Sequence, residues 1–235
     1  MTLKALIFDV DGTLAETEEA HRAAFNRVFA DWGLDWHWSQ PQYRKLLKTT
    51  GGKERIRAWQ QRLPEDARRL SDDEIARIHK EKTGIYTGIL AAGNLDLRPG
   101  VAEMIEAARS AGLKLAVATT TNLPNVEALT SCCWGKAPGD LFDVIAAGDE
   151  VASKKPAPDV FQLALERLEL GPEVCVAFED SLNGMISARG AGLPVVVTPS
   201  VYTDDQDFSG AQMVVDSLAG MRPADLEPLT ALSIA

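Results

Sequence analysis

The sequence predicts an α/β fold: a Rossmann-like parallel sheet core with an inserted all-helical domain. Two observations carry this reading. Short apolar runs rich in β-branched residues alternate with amphipathic stretches, and strand–helix–strand alternation builds a parallel sheet with helices on both faces. The rhythm breaks once, between the first apolar run and the second, where only helical patterns occur.

The expected strands are Ala5–Val10, Leu113–Ala118, Phe142–Ala147, Val174–Phe178 and Pro194–Thr198, with a weaker sixth at Met213–Val215. Their length and β-branched content favour strand over helix. Among the helices, Val101–Ala111 opens after Pro99-Gly100, Pro158–Leu170 stops before Gly171-Pro172, and Ser181–Ala191 ends at Gly192. These are ordinary helix start and stop signals. Within the interval that breaks the rhythm, helices are expected at Thr17–Trp32, Gln42–Lys48, Glu54–Leu63 and Asp72–Ala92. In the first, Phe25, Val28, Phe29 and Trp32 share a face with Glu18 and His21 at its start. The expected division is therefore residues 1–15 and 93–235 for the α/β core and 16–92 for the helical insertion.

With 46% hydrophobic and 25% charged residues, the 235-residue chain is ordinary for a globular protein with a sizeable core. Its formal charge of −10 repels nucleic acid and anionic lipid, so neither is an expected partner. The same charge repels small anions, so any anion site must gather positive potential locally. Cys132, Cys133 and Cys175 are odd in number and form no CxxC, as expected of reduced cysteines buried as small hydrophobes. No signal h-region and no span-length apolar stretch occurs, so the cytoplasm is the expected location.

The chemistry centres on Leu6-Ile7-Phe8-Asp9-Val10-Asp11-Gly12-Thr13. An apolar strand ends in two carboxylates, which the period of two places on one side. Gly12 lets the chain turn and bring backbone N–H groups toward an anion. Two unpaired carboxylates at the carboxyl end of a strand repel each other, so a divalent cation is their natural partner.

Here the sequence resembles the haloacid dehalogenase superfamily, along nearly the whole chain. The DxDGT motif is Asp9-Val10-Asp11-Gly12-Thr13. The second motif, Thr or Ser ending the second strand, matches Thr119 in Ala118-Thr119-Thr120-Thr121-Asn122. The third, Lys before Pro, matches Lys155 in Lys154-Lys155-Pro156, although sequence alone leaves Lys154 open. The fourth, an acidic pair ending the fourth strand, matches Glu179-Asp180. The resemblance implies a phosphatase with Mg2+ held by Asp9, the Asp11 carbonyl and Asp180, Glu179 completing or orienting the shell. It implies Asp9 as covalent nucleophile, Asp11 as general acid and base, and Thr119 and Lys155 as grips on the phosphoryl oxygens.

The inserted helices match the small cap of this superfamily, which closes over the core and excludes water. Thr49-Thr50-Gly51-Gly52-Lys53-Glu54-Arg55, with Glu18-Glu19-Ala20-His21, looks like the CbbY-type branch. That branch is similar to xylulose-1,5-bisphosphate phosphatases, which remove a Rubisco inhibitor and so serve the Calvin cycle. On this resemblance Glu18, His21, Gly51 and Gly52 line a sugar-phosphate pocket. Lys53, Arg55 and Lys82 read the distal phosphate or sugar hydroxyls, and Thr120, Thr121 and Asn122 also reach the substrate. For Asn122 the residue type favours capping a helix over reaching the substrate. The rivals are a β-phosphoglucomutase-like phosphotransferase, against which Thr13 weighs, a phosphoglycolate phosphatase, and a non-catalytic phosphate binder. A monomer is expected. His37, His79 and Ser131–Pro138 carry no expected role, and Trp32, Trp36 and Trp38 are expected to pack within the cap.

Overall fold

Each apolar run of the sequence becomes a strand of one sheet. The computed structural model describes residues 2–93 and 95–230; Met1, Asn94 and 231–235, which fall in the expected core segments, lie outside the described residues. The strands are β1 (Ala5–Phe8), β2 (Lys114–Ala118), β3 (Val144–Ala146), β4 (Cys175–Glu179), β5 (Val195–Val197) and β6 (Met213–Val214). They lie in the order β3-β2-β1-β4-β5-β6, every pair parallel. This is the strand order of a doubly wound sheet, with its switch point beside β1, where ligands meet the carboxyl ends of the strands.

Alternation along the strands splits the core into two layers. On one face Leu6, Phe8, Leu115, Val117, Val176 and Phe178 pack against α5 (Val101–Ser110) and α6 (Leu123–Trp134). On the other, Ala5, Ile7, Ala116, Ala118 and Ala177 meet α7 (Asp159–Leu168) and α8 (Leu182–Gly190). Small residues face α7 and α8, which lets those helices lie close.

The insertion contains α1 (Glu18–Asp31), α2 (Gln40–Leu46), α3 (Gly52–Gln60) and α4 (Asp72–Ala91). They share a core of their own in which Phe25, Phe29, Trp36, Trp38, Tyr43 and Ile56 are buried, with Trp32 packed against it. One residue of the α/β part, Tyr202, enters this cluster, and Tyr86 and Leu90 of α4 enter the sheet-side core. Two chain crossings join the parts. They run side by side, with an antiparallel bridge between Ala15 and Leu97 and a bond from Arg98 N–H to Leu14 C=O of 2.9 Å. The Arg98 guanidinium ties them to the loop after β5 by donating to the carbonyls of Gly12, Thr198 and Pro199.

Three differences from the sequence reading have local causes. Helix α2 begins two residues earlier than expected because Ser39 and Gln42 form a reciprocal capping box and Pro41 occupies the first turn. Helix α3 ends at Gln60 rather than Leu63 because the chain passes into a turn. Helix α6 was not expected from its pattern; Asn122 caps it, its Oδ1 accepting from Asn125 N–H at 3.1 Å, and Pro124 stands in its first turn.

Candidate active site

The register brings the chemistry together. Phe8 lies opposite Val117 on one side and Phe178 on the other, so Asp9 emerges level with the ends of β2 and β4. Thr119 follows β2, Glu179 ends β4 and Asp180 follows it. One carboxylate oxygen from each of Asp9, Glu179 and Asp180 lies within 4.8 Å of the others, and all three residues are buried.

Lys155 is the buried cation among them. Its Nζ donates to Asp9 Oδ1 at 2.6 Å, Glu179 Oε1 at 2.5 Å and the Ala118 carbonyl at 2.9 Å. The neighbouring Lys154 also lines the cavity above this cluster, with its Nζ paired to Glu54 of α3 at 3.6 Å. Glu179 is held at its other oxygen, which accepts from Asp180 N–H at 3.2 Å and the Ser181 hydroxyl at 3.4 Å. Three buried carboxylates against one lysine leave an excess of negative charge. Burial accordingly pushes the Asp9 carboxyl up to about 8, Lys155 opposing and Glu179 adding to the shift. Burial, then Glu179 and Asp9, push Asp180 well above the carboxylate range. Such a set fits a hard divalent cation, which takes oxygen ligands and relieves the repulsion.

Asp11 has a different environment. Its Oδ1 accepts from the Thr17 hydroxyl at 2.6 Å and pairs with His21 Nε2 at 3.0 Å. Lys82 Nζ lies 2.5 Å from His21 Nδ1, which leaves Nε2 as the nitrogen whose hydrogen Asp11 accepts. The His21 ring stacks on Tyr86 at 3.9 Å between centroids. Burial raises the Asp11 pKa, but His21, Thr17 and Lys82 overcome it and hold the carboxyl down at about 2. Burial draws Lys82 down to about 7, with Asp11 and Glu18 opposing.

A cavity of about 460 Å³ opens over this floor, walled by both parts of the chain. Glu18, His21, Gly51, Gly52, Arg55, Lys82, Thr120, Thr121 and Asn122 all line it. Lys53 does not; it is half-buried beside the cavity wall. Thr119 lies buried below it, its hydroxyl accepting from Thr121 N–H at 3.2 Å.

Several participants were not read from the sequence. Tyr43 donates its hydroxyl to Glu18 Oε2 at 2.8 Å and accepts from Arg55 Nη1 at 2.8 Å, fixing both side chains from behind. Arg55 also lies 5.0 Å over the Tyr43 ring, and its buried Nε has no partner among the described residues. Asn183 lines the cavity and donates to the Lys48 carbonyl and the Thr50 hydroxyl. His79 packs so close to Gly52 that a Cβ there falls 2.5 Å from its Nε2. Burial and the nearby Lys82, Lys53 and Lys154 hold the His79 ring down at about 3. Asn183 follows the Glu179-Asp180 pair by three residues; nothing in a single sequence singles out the others, whose partners lie far along the chain.

The geometry describes a site for phosphoryl chemistry: a buried nucleophile-capable carboxylate, a lysine, a cation-ready acidic set and a covered cavity. The family model of haloacid dehalogenase-like hydrolases matches residues 3–192. Protein CbbY of Rhodobacter capsulatus is 57% identical over 93% of this chain and 95% of its own length. The crystal structure of CbbY from Rhodobacter sphaeroides with phosphate is similar at TM-score 0.92 and 52% identity, over 96% of this chain and 99% of that one. An aspartate-to-asparagine variant of that protein, solved with xylulose-(1,5)bisphosphate, is similar at TM-score 0.92 and 51% identity over 96% and 100%. The chain belongs to the haloacid dehalogenase-like hydrolases. Within them it is of the CbbY type, a phosphatase acting on phosphate esters.

Proposed function

We propose that the chain hydrolyses a phosphate of xylulose-1,5-bisphosphate through an aspartyl-phosphate on Asp9. The observation that carries this reading is the buried Asp9–Lys155–Glu179 cluster beneath a cavity whose far wall presents Arg55. The relative that holds xylulose-(1,5)bisphosphate supports the choice of sugar.

Asp9, the Asp11 carbonyl and Asp180, with Glu179 behind, would hold a magnesium ion, which would supply charge neutralisation at the phosphoryl group. Asp9 attacks phosphorus and the bond to the sugar oxygen breaks, leaving the phosphoryl group on Asp9. Lys155, already on Asp9, and the Thr119 region grip the equatorial oxygens where charge develops. Asp11 gives its proton to the departing sugar oxygen and takes one back from the water that cleaves the intermediate. Thr17 and His21 aim that carboxyl and hold its base form, and an arriving phosphate dianion raises its proton affinity toward the acid form. Residues 16–92 act as the cap that excludes water, and Arg55, braced by Tyr43, receives the distal phosphate.

The test is phosphate release with Mg2+ from xylulose-1,5-bisphosphate, ribulose-1,5-bisphosphate, glucose phosphates and phosphoglycolate. Xylulose-1,5-bisphosphate is expected to give the highest kcat/KM, and Asp9→Asn to lower kcat by at least about a thousandfold. Interconversion of sugar phosphates without release, or normal turnover by Asp9→Asn, sinks the reading.

A further inference from the structure

The loop that follows β5 belongs to two structures at once. On its inner side Thr203, buried, donates its hydroxyl to the Asp180 carbonyl at 2.7 Å and lies 3.3 Å from Asp180 Oδ2. Ser200 N–H fixes that hydroxyl by donating to it at 2.8 Å. On its outer side Arg44 of α2 donates to the Val201 carbonyl and the Asp204 carboxylate, and lies 3.3 Å from Asp205 Oδ1. Between the two contacts Tyr202 inserts into the core of the helical insertion, edge-on to Tyr43 at 5.8 Å.

The two contacts differ in strength. The Thr203–Asp180 bond is buried at the cavity floor. The Arg44 side chain is 33% exposed, and those of Asp204 and Asp205 are 64% and 63% exposed. Exposed ion pairs of this kind contribute little and are readily broken. The outer clasp is therefore the weaker of the two contacts.

We infer that Arg44 is a positioning residue for Asp180: when the helical insertion closes, its clasp fixes the loop at 200–205, and Thr203 passes that constraint to the Asp180 carboxylate. Closure and cation affinity are then linked, and linkage works in both directions. The inference rests on the reading of Asp180 as a cation ligand.

Calorimetric titration of Mg2+ into the full chain tests it without turnover. Arg44→Ala is expected to weaken Mg2+ binding about two- to fivefold, the range an exposed clasp supplies. Arg44→Lys restores part of that loss, because charge is kept. Arg27→Ala, which breaks only the exposed Arg27–Asp31 pair within α1, leaves affinity unchanged. In a Thr203→Val background Arg44→Ala has a smaller effect, because the Thr203 hydroxyl that passes the constraint to Asp180 is gone and Ser200 alone still reaches it. A purely stabilising Arg44 lowers Tm in both backgrounds and leaves Mg2+ affinity alone. If Arg44→Ala fails to fold, Asp204→Asn with Asp205→Asn carries the same test from the other side. Affinity within twofold of the unaltered chain, or additive losses with Thr203→Val, overturns the inference alone. Failure of the unaltered chain to bind Mg2+ overturns the cation reading and this inference with it.

Discussion

A single side chain, Lys155, decides whether three buried carboxylates can coexist. It bonds to Asp9 and Glu179 and to a β2 carbonyl while itself buried. Removing one partner of a buried ionic cluster leaves charge uncompensated. Lys155→Met is therefore expected to lower unfolding free energy by about 3–5 kcal/mol without Mg2+, read by denaturant titration, and to abolish phosphate release. His79 makes the opposite kind of prediction. Its ring is held at about 3 by burial and by Lys82, Lys53, Lys154 and His21, against an ordinary value of 6.5. Between those values the unfolded chain binds the proton that the folded chain refuses, so stability falls as pH drops from about 6.5 toward 3. His79→Gln is expected to flatten that part of a Tm-versus-pH curve. The sequence made the first residue legible and not the second. Lys155 sits before a proline in a motif at a strand end, whereas His79 is one of many polar residues on a helix. Its environment comes from Gly52 and Lys154, which lie in other elements.

At the scale of elements, two glycines within helices separate close approach from mere tolerance. Gly184 lies in the first turn of α8, where a Cβ falls 1.9 Å from Glu179 Oε2. Gly184→Ala must displace the carboxylate that Lys155 holds, and is expected to cost about 1–3 kcal/mol by overpacking. Gly88, inside α4, has open space where its Cβ would stand. Gly88→Ala is expected to stabilise by about 0.5–1 kcal/mol, through helix propensity alone. Thermal unfolding of the two variants checks the opposite signs. Strands were the legible elements, because short apolar runs that are for the most part buried on both sides leave little choice of structure. Helix α6 was not legible. Its apolar positions Val126 and Leu129 stand beside Thr130, Ser131 and two cysteines, and its existence depends on the Asn122 cap and on packing against α4.

At the scale of the whole molecule, an acidic chain sets Arg55, Lys82, Lys154 and Lys155 among the carboxylates of a cavity between two parts. Sequence reasoning placed both Lys53 and Arg55 there, as a charged pair following two glycines. A helix turns about 100° per residue, so neighbours two apart face different ways. Arg55 lines the cavity with Tyr43 behind it; Lys53 does not line it. Arg55→Ala is therefore expected to raise KM for a sugar bisphosphate by at least about tenfold. The same change should affect a monophosphate far less, and Lys53→Ala should change either by about twofold at most. Steady-state kinetics on paired bisphosphate and monophosphate substrates distinguish these outcomes; equal losses for both substrates in Arg55→Ala contradict the assignment.

The bridge between Ala15 and Leu97 has a consequence for how such a molecule can diverge. Where the helical insertion begins and where it ends are neighbours in space. Its excision leaves a gap that a short turn can close, and a replacement of another size needs only adjacent ends to fit. The sheet and its carboxylates are then a constant part, and the insertion is an exchangeable one. New substrates can be acquired by changing what is spliced between two adjacent residues, while the bond-breaking residues beneath keep their places.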